Sequence, residues 1–289
     1  MNFKQIGIVG KTEPKALQTI SNLVEYLADK KISLAIDSRT FAKLEIKDIE
    51  SDNLEALCQK SDLIIVVGGD GTLLGTARIA VNYNTPVLGI NMGRLGFLVD
   101  ISPEAMCGSL DKVLDGQYET DDRLLLELKL QHSDSSSVAF NDVVVHKWNT
   151  ARLIEFETFI NGQFVDRQRS DGLIVATPTG STAYALSGGG PLLYPRLDAI
   201  SLVPICPHTL SNRPIVVPAD SSIEIRVCGH TPVDELRISC DGQETRALNP
   251  GTDRFFIQKH QKKVRLIHPP DHDHFNILRK KLGWGSHRS

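Results

Sequence analysis

Apolar residues up to position 114 fall into two repeating patterns. Short continuous apolar runs alternate with segments whose apolar residues recur every three or four positions. The runs are typical of strands buried on both faces, and the three-to-four spacing is typical of one face of a helix. Alternating strands and helices predict an α/β domain with a mostly parallel sheet. The predicted strands cover residues 3–9, 33–36, 62–67 and 86–90, and the predicted helices cover 14–29, 54–58, 73–81 and 103–114.

From residue 118 onward the pattern changes to short strands separated by turn signals, such as Asn161-Gly162 and Asp241-Gly242. Only a stretch near residues 183–188 looks helical. This half is therefore predicted to be an all-β domain of sandwich type. Its predicted strands cover residues 124–130, 138–145, 153–160, 164–169, 172–176, 214–217, 223–228, 236–240 and 254–258.

The end of the chain reads again as a strand, at 263–267, followed by a helix, at 275–282. We expect this segment to return to the first domain. The prediction is thus an α/β nucleotide-binding domain of residues 1–117 with 268–289, and an all-β domain of residues 118–267.

Composition narrows the function classes. The 289 residues suit one large or two ordinary domains. Lys plus Arg number 32 and Asp plus Glu 35, so the net charge of −3 argues against electrostatic binding to nucleic acid or to a membrane surface. Apolar runs fall far short of the roughly 20 residues of a membrane-spanning helix. No signal-peptide pattern opens the chain.

The five cysteines are scattered and form no Cys-x-x-Cys pair. This spacing indicates reduced, buried thiols rather than disulfides or a structural zinc site. We therefore expect a cytoplasmic protein that binds small molecules, with no nucleic acid and no membrane as partner.

Glycine is average in number but uneven in position. Twelve of the 22 glycines lie in two windows, Gly68–Gly96 and Gly172–Gly190. Such clusters are typical of backbone that turns tightly or approaches a ligand closely. The two windows are therefore the first candidates for a binding site.

In the first window, Gly68-Gly69-Asp70-Gly71-Thr72 joins a predicted buried strand to a predicted helix. Ligands of open α/β sheets bind at the carboxyl ends of strands, and glycines there let backbone N–H groups surround a phosphate. The carboxylate of Asp70 would instead hold Mg²⁺ or accept a proton from an attacking hydroxyl. The alternative is an Asp that only caps the helix. The two preceding glycines and Thr72 favour the functional interpretation.

The next strand is followed by a second turn, Asn91–Leu98, which would face the same crevice. Here Phe97 could stack on a base and Arg94 could meet a phosphate. The alternative is a plain loop with Phe97 in the core.

The second glycine window follows another predicted strand with a loop rich in hydroxyl groups, Ser170–Pro191. Its small hydroxyls and Tyr184 suit recognition of ribose and phosphate oxygens. The alternative is a Ser/Thr/Gly-rich surface loop, which the loop's length and the apolar strand before it disfavour.

Two further segments imitate known sites. Residues 10–12 are Gly-Lys-Thr, the triplet that ends a phosphate-binding P-loop motif, but Gln5 occupies the position where that motif needs its first glycine. In the tail, His268, His272 and His274 alternate with acidic residues, yet Pro269-Pro270 and the polarity of the run favour a solvated loop. We therefore predict no metal-ligating residues.

Together these segments closely resemble the NAD kinase family, whose members use ATP to phosphorylate NAD to NADP. The glycine-flanked Asp70 turn alone also occurs in diacylglycerol and sphingosine kinases and in related sugar kinases. A lipid or sugar kinase therefore stays an alternative, as does a non-catalytic NAD(P)-binding protein. The resemblance extends from Gly68 to Trp284 and includes Asn91–Leu98, Asn141-Asp142, Asp171–Pro191, Ser211–Pro214, Asp241–Gln243 and Leu278–Trp284.

The resemblance implies a Rossmann-like three-layer domain that the C-terminal helix completes, and an all-β second domain. It also implies that ATP, with Mg²⁺, supplies the γ-phosphoryl group, and that the acceptor is the 2′-hydroxyl of the adenosine ribose of NAD. NAD would lie between the domains, and the enzyme would be a homodimer or homotetramer.

The resemblance further assigns roles to single residues. Asp70 matches the family's general base or metal-linked carboxylate, with Gly71 beside it, and Phe97 matches a residue near the adenine. Asn141 and Asp142 match a pair that binds the adenosine ribose; the family more often has Glu at the second position, so Asp142 reaches about one methylene less. The remaining expected NAD contacts are Arg152, Arg169 and Asp171 (the last two at the nicotinamide end, across a subunit boundary), Thr182, Ala183, Tyr184, Ser187 and Gln243.

Overall fold

The structure, a computed structural model, describes residues 3–93, 95–131, 136–228, 236–248 and 254–284. By its internal contacts the chain divides into two compact units. The first unit comprises Met1–Asp122 and Val264–Ser289, and the second comprises Arg123–Lys263. Among the described residues, no helix combines the length and the apolar character needed to cross a membrane.

The first unit begins with strands and helices in alternation. A 3₁₀ turn at Pro103–Ala105 runs directly into its fifth helix. Its elements up to residue 123 are β1 (Gln5–Gly10), α1 (Pro14–Ala28), β2 (Ser33–Asp37), α2 (Ser38–Phe41), β3 (Glu50–Asp52), α3 (Leu54–Lys60), β4 (Leu63–Gly68), α4 (Asp70–Tyr83), β5 (Val87–Asn91), α5 (Met106–Leu114) and β6 (Glu119–Arg123).

The second unit consists almost entirely of strands. A 3₁₀ turn at Thr179–Thr182 precedes its short helix. Its elements are β7 (Leu126–Leu130), β8 (Ser136–Ala139), β9 (Asp142–Lys147), β10 (Ile154–Ile160), β11 (Gln163–Ser170), β12 (Gly172–Ala176), α6 (Tyr184–Ser187), β13 (Ala199–Ile205), β14 (Ile215–Pro218), β15 (Ile223–Val227), β16 (Leu236–Cys240), β17 (Glu244–Ala247) and β18 (Arg254–Lys259). The chain then re-enters the first unit with β19 (Val264–His268) and α7 (His274–Leu282).

The first unit is a three-layer α/β structure. Its sheet has the order β3-β2-β1-β4-β5-β19-β6, and neighbouring strands from β3 to β19 pair in parallel. Every residue of β4 is buried, as expected for a strand covered on both faces. On one face Ile8 packs with Ile20 and the rest of the apolar stripe of α1. On the other face Gly7 lies against Leu57 of α3, so close that a Cβ on Gly7 would lie 2.8 Å from the Leu57 side chain.

The strand order reverses at β1, because β2 and β3 lie on one side of it and β4 on the other. This reversal is the topological switch point at which open α/β sheets bind ligands, outside the carboxyl ends of the strands. The sheet therefore marks the ends of β1 and β4 as the place to look for a nucleotide.

The second unit is a sandwich of two antiparallel sheets. Their orders are β11-β10-β15-β18-β7-β8 and β14-β13-β12-β9-β16-β17. Their inner faces share one apolar core, in which Phe156 and Phe255 of the first sheet pack with Leu173 and Leu202 of the second. Helix α6 covers the outer face of β12 through Ala185. This arrangement presents the loop after β12 at the edge of a rigid, buried strand.

The predicted fold class, α/β followed by all-β, is confirmed. Most predicted elements match within a few residues, but α4 begins at Asp70, three residues before its predicted start. Residues 138–145, predicted as one strand, form the end of β8 and the start of β9. The elements that the pattern did not predict are α2, β3, β6, β13 and β17.

The predicted domain limits differ from the observed division at two strands. Residues 119–123 and 264–267 were assigned to the all-β domain, but they form β6 and most of β19. These two strands belong to the seven-stranded sheet of the first unit. Their hydrogen bonds to that sheet move the boundaries to Asp122/Arg123 and Lys263/Val264.

All five cysteines are free thiols. Cys58 and Cys240 are buried and Cys228 is partly buried, but Cys107 and Cys206 are exposed. The prediction of buried thiols is therefore wrong for these last two, which lie on α5 and directly after β13.

Candidate functional site

Asp70 lies at the end of the buried strand β4 and is the first residue of α4. Its carboxylate accepts hydrogen bonds from three successive backbone N–H groups of the loop after β5. Phe97 donates to Oδ2 at 2.9 Å, and Leu98 and Val99 donate to Oδ1 at 3.1 and 3.3 Å. The side chain is therefore fixed by backbone, and its orientation depends on the position of this loop.

Gly96 makes the close approach of this loop possible. A Cβ at position 96 would lie 2.1 Å from Oδ1 of Asp70, well inside the contact distance of two atoms. Phe97, the next residue, is partly buried, and the ammonium group of Lys281 from α7 lies 5.0 Å from the centre of its ring. Arg94, the predicted phosphate contact of this turn, lies outside the described residues.

A cavity of about 540 Å³ opens at the switch point of the first unit. The first turns of α4 form one wall through Gly71, Thr72 and Gly75. The residues that follow β1, including Gly10, Lys11 and Thr12, form another. The Gly-Lys-Thr triplet that fails the P-loop pattern thus still borders the crevice where an α/β sheet binds a nucleotide. The first turn of α4, whose end of the helix dipole is positive and favours a bound anion, borders this cavity through Gly71 and Thr72.

In the second unit, the loop after β12 is held directly against Phe140 and Asn141. The hydroxyl of Thr177 donates to the carbonyl oxygen of Phe140 at 2.7 Å and accepts from the N–H of Gly180 at 3.0 Å. A Cβ on Gly180 would lie 2.1 Å from the carbonyl oxygen of Asn141. The hydroxyl-rich loop and the Asn141-Asp142 pair therefore form one rigid surface.

This surface encloses a cavity of about 360 Å³. Four residues predicted to contact NAD line it together: Asn141, Asp142, Ala183 and Tyr184. Asp241 and Gly242, which the sequence marked as a turn and as part of the resemblance but not as NAD contacts, also line it, and the sequence did not single out the remaining lining residues, Val144, His146 and Ser239. The volume and the mixture of carboxyl, amide, imidazole and phenol groups suit a polar ligand such as a nucleoside.

Asp241 holds this surface in shape. Its carboxylate accepts from the backbone N–H groups of Phe140 at 2.9 Å, Asn141 at 2.7 Å and Asp142 at 3.2 Å. It lies in the turn between β16 and β17, where Asp241 and Gly242 both have positive φ, 52° and 64°, as this type of hairpin turn requires. The turn signal that predicted the hairpin thus also marks a residue that lines the cavity.

Asp142 is almost fully buried, with 4% of its surface exposed. Burial, and then the negative charge of Asp241 nearby, raise the pKa of Asp142 to about 7. Near neutral pH this carboxyl group is therefore present both as a hydrogen-bond donor and as an acceptor.

Both parts of the sequence match the models of one protein family. The sequence model of the ATP-NAD kinase N-terminal domain matches residues 6–118. The sequence model of the ATP-NAD kinase C-terminal domain matches residues 140–269. The chain belongs to the NAD kinase family.

Individual relatives agree over the full length. The NAD kinase of Teredinibacter turnerae is 47% identical over 99% of this chain and 98% of its own. That of Nitrosococcus oceani is 48% identical over 98% and 97%. Among solved structures, yeast NADH kinase complexed with NADH superimposes with a TM-score of 0.90 at 27% identity, covering 100% of this chain and 90% of that one. An NAD kinase from Archaeoglobus fulgidus in complex with ATP gives 0.74 at 27% identity, with 96% and 97% covered.

The chain is therefore an enzyme that phosphorylates NAD, a kinase with an alcohol acceptor. The resemblance inferred from the sequence is confirmed. A lipid kinase, a sugar kinase and a non-catalytic NAD(P)-binding protein are not favoured.

Other residues expected in an NAD kinase site lie outside the second-unit cavity. Thr182 precedes Ala183 but uses its hydroxyl internally, donating to the carbonyl oxygen of Thr179 at 3.1 Å. Ser187 is exposed at the end of α6, and Gln243 is exposed in the turn beside Gly242. Arg152 is exposed in the turn before β10.

Arg169 and Asp171 lie together where β11 passes into β12. Asp171 is partly buried and forms an ion pair with Lys147 at 2.6 Å, whereas the side chain of Arg169 is exposed. The backbone carbonyl of Arg169 accepts from the N–H of His208 at 2.9 Å. In this structure Asp171 is held by a lysine, and Arg169 is presented at the surface of its unit.

The histidine-rich tail is not the solvated loop that the sequence predicted. His268 is 2% exposed and His272 is also largely buried, and both rings lie against Asp100. In the described part of the chain, these three residues are the only group of three potential metal ligands within reach of one another. The prediction failed because Asp100 lies 168 residues from His268 in sequence.

Proposed function

We propose that this NAD kinase transfers the γ-phosphoryl group of ATP to the 2′-hydroxyl of the adenosine ribose of NAD, with Asp70 accepting the proton of that hydroxyl. The observation that supports this role is the fixed carboxylate of Asp70 at the carboxyl end of β4, held by three backbone N–H groups. A hydroxyl attacks faster when a base within hydrogen-bond reach takes its proton.

ATP is proposed to place its phosphates at the switch-point cavity of the first unit. Phosphoryl transfer requires in-line positioning and compensation of negative charge more than covalent help from the protein. The N-terminal turn of α4 and the cationic side chains of Lys11 and Arg39 border this cavity and would supply such compensation; the carboxylates of Glu13, Asp37 and Glu55 also line it. Gly71 and Gly75 keep its α4 wall free of bulky side chains.

NAD is proposed to place its adenosine in the cavity of the second unit. Asn141 and Asp142 would contact the ribose, and Tyr184, which is 48% exposed, offers its ring and hydroxyl to the same ligand. Asp142 can donate to or accept from a ribose hydroxyl, since the pKa of this carboxyl is raised to about 7. The other contacts that the resemblance implies for NAD remain predictions: Arg152, Arg169, Asp171, Thr182, Ala183, Ser187 and Gln243.

Mg²⁺ is proposed to arrive bound to ATP. The carboxylate of Asp70 has about four lone-pair positions, and three backbone N–H groups already use it, so about one position remains, for the attacking hydroxyl. Mg²⁺ would therefore be held mainly by phosphate oxygens and water. The ion would supply positive charge against the charge that develops on the phosphates.

A second copy of the chain is proposed to cover an apolar surface on the second unit. Five large apolar side chains are exposed there: Phe164 and Val165 of β11, Leu210, and Ile215 and Val216 of β14. Two of them, Val165 and Ile215, line one groove of about 270 Å³. Both strands are edge strands, which leaves them open to pairing. A homodimer or homotetramer would bury this surface and bring Arg169, on the same strand, to a subunit boundary. A cytoplasmic location stays a prediction from the sequence.

The test of the catalytic proposal is the formation of NADP from ATP, Mg²⁺ and NAD by the wild type and by Asp70→Asn. We expect kcat of the variant to fall by about 10²–10⁴-fold, which is the usual contribution of a general base. NAD binding, measured by calorimetry, should be retained, because Asn keeps the shape of the side chain.

The matched control is Asp29→Asn, which removes an exposed carboxylate at the end of α1 and should leave kcat unchanged. An Asp70→Asn enzyme with wild-type kcat would refute the role of Asp70. A variant that no longer binds NAD would point instead to a structural role.

A further inference from the structure

The loop that fixes Asp70 is anchored on its far side by the C-terminal segment of the chain. Residue 100 directly follows Val99, the last of the three N–H donors to Asp70. Oδ2 of Asp100 lies 3.3 Å from Nδ1 of His268, the last residue of β19. The same oxygen lies 2.5 Å from Nδ1 of His272.

The three side chains are hidden from solvent. The exposed fractions of the Asp100, His268 and His272 side chains are 14%, 3% and 10%. Burial alone would raise the pKa of Asp100, but the hydrogen bonds from His268 and His272 hold it well below its usual range. Asp100 is thus an anion that depends on two imidazole N–H groups in place of water.

These side chains suit a hydrogen-bonded anchor better than a metal site. The two rings are stacked, with centres 3.9 Å apart and planes at 25°, so their Nδ1 atoms point side by side. A zinc ion must lie near the plane of each ring that binds it, at about 2.0–2.1 Å from the nitrogen. One ion cannot satisfy both nearly parallel rings. At 2.5 Å, His272 and Asp100 also leave no room for an ion between them.

The segment between Asp100 and Asp70 has little freedom of its own. Beyond Asp100, the carbonyl of Ile101 accepts from the N–H of Asn91 at the end of β5, at 2.7 Å. Before it, the fully buried side chain of Val99 packs against Gly89. A displacement of Asp100 would therefore be passed to the N–H groups of residues 97–99 and so to the Asp70 carboxylate.

The C-terminal segment contacts the same loop a second time. Lys281 of α7 places its ammonium group over the ring of Phe97, whose N–H donates to Asp70. Contacts from His268, His272 and Lys281, which lie within 13 positions of one another in the C-terminal segment, thus hold the short stretch 97–100.

We propose that His268, acting through Asp100, is a positioning residue for the phosphoryl-transfer reaction: it fixes the loop whose backbone N–H groups orient Asp70. This inference rests on the proposed role of Asp70 as the base. This role also gives a function to the return of β19 and α7 to the first unit, because these two elements carry the side chains that hold the loop after β5.

His268 offers a sharp pair of variants, because among the described residues its Nε2 is buried without a hydrogen-bond partner. His268→Asn places an amide N–H near the position of Nδ1 and sacrifices no other hydrogen bond. His268→Leu removes the donor at similar volume. We expect His268→Leu to lower kcat by about tenfold to a hundredfold, the cost of a small misplacement of a catalytic group, with KM for NAD and ATP changed by less than about threefold. His268→Asn should restore most of kcat.

A double-mutant cycle with Asp70→Asn separates positioning from general damage. If His268 acts through Asp70, His268→Leu should lower kcat by less than about twofold once Asp70 is already Asn, since coupled residues are not additive. If the fold-losses in kcat of the two single variants multiply in the double variant, the proposal is overturned. So would a His268→Leu enzyme that melts earlier but keeps wild-type kcat at 25 °C.

Two further variants control for general effects of a substitution in this segment and for failure to fold. His274→Leu, in the same segment but outside the contact with Asp100, should keep kcat. Asp100→Asn, which has the same shape as Asp100, replaces His268→Leu in the cycle if the latter does not fold. An unchanged kcat in Asp70→Asn would overturn both this inference and the proposed function. A low kcat in Asp70→Asn with an unchanged kcat in His268→Leu would overturn the positioning role alone.

Discussion

At the scale of single residues, the described part of both units shows the same device: a carboxylate held by three consecutive backbone N–H groups. Asp70 binds the N–H groups of residues 97–99, and Asp241 binds those of residues 140–142. Backbone donors are fixed by the fold, so they orient an anion more rigidly than flexible lysine or arginine side chains would. In both units the carboxylate and a loop that borders a cavity hold each other in place.

The fit between Asp70 and its loop predicts that position 96 tolerates only glycine. Gly96→Ala would place a methyl group 2.1 Å from Oδ1 of Asp70, so the loop or the carboxylate must move. We expect kcat to fall by about a hundredfold, the effect of a displacement near 1 Å at a catalytic group. Gly108→Ala is the matched control, because nothing lies within 4 Å of its new methyl group, and steady-state kinetics should show it unchanged. Equal kcat in the two variants would contradict the close fit.

Asp142 predicts a dependence of stability on pH. Because the pKa of this carboxyl is raised to about 7 in the folded protein, from an ordinary value of 3.8, folding favours its protonated form. The stability that this protonation contributes is complete below pH 3.8 and is lost as the pH rises through 7. Asp142→Asn removes the buried charge, so its melting temperature relative to wild type should be higher at pH 8.5 than at pH 5.5. Each kcal/mol corresponds to about 2–4 °C for a protein of this size.

Circular-dichroism melts at the two pH values measure this difference. Asp220→Asn, at an exposed aspartate of the same unit, serves as control and should shift both melts equally. An Asp142→Asn difference that is the same at both pH values would show that Asp142 is already charged at pH 5.5.

At the scale of elements, the sequence predicted best the helices and strands whose spacing of apolar residues directly indicates which of their faces is buried. The six buried residues of β4 and the apolar stripe of α1 are visible from spacing alone. Strand β6, Glu-Thr-Asp-Asp-Arg, has no apolar residue and forms at the edge of a sheet that others build. Strand β13 contains Pro204, a residue that is rare inside a sheet, so its pattern does not predict a strand. The pattern predicts the start of helix α4 three residues late because its first turn contains Gly71, and glycine is unfavourable in helices.

Asp241 allows a prediction at the level of the hairpin β16–β17, because its side chain joins this turn to the start of β9. Asp241→Ala leaves three buried or partly buried N–H groups without their acceptor, and each unsatisfied group costs about 1–3 kcal/mol. We expect a lower melting temperature and a higher KM for NAD, with KM for ATP nearly unchanged. Asp241→Asn, whose amide oxygen still accepts hydrogen bonds, should recover part of both losses. A KM for ATP that rises as much as KM for NAD would argue against a local effect on the second-unit surface.

At the scale of the whole molecule, the sequence could predict the glycine-rich turns but not their long-range partners. The resemblance supplied Asn141, Asp142, Ala183 and Tyr184, and the fold gathers all four around one cavity. It could not supply the contact of Asp241 with Phe140, 101 residues apart, or that of Asp100 with His268, 168 residues apart. Contacts at such separations follow from the topology of the sheets, and no local pattern of residues reports them.

Assembly is the last property that the surface predicts. Phe164 is 58% exposed and Leu210 is 89% exposed, next to a groove between two sheet edges, and a second copy of the chain would remove this apolar surface from water. We expect light scattering after size-exclusion chromatography to give a dimer or tetramer for wild type and a monomer for Phe164→Glu with Ile215→Glu. Tyr83→Glu, at an exposed aromatic of the first unit, should leave the oligomer intact.

Complementation then tests whether a second subunit contributes to each site. Arg169 lies exposed on β11 beside the apolar surface, and the family resemblance places it across a subunit boundary. Asp70→Asn and Arg169→Ala should each be nearly inactive alone. After the two are mixed and allowed to exchange subunits, some sites pair an intact Asp70 from one chain with an intact Arg169 from the other, and NADP formation should return. If both residues of a working site came from one chain, no mixed site would contain both, and mixing would restore nothing. A wild type that is monomeric at assay concentration would refute the assembly itself.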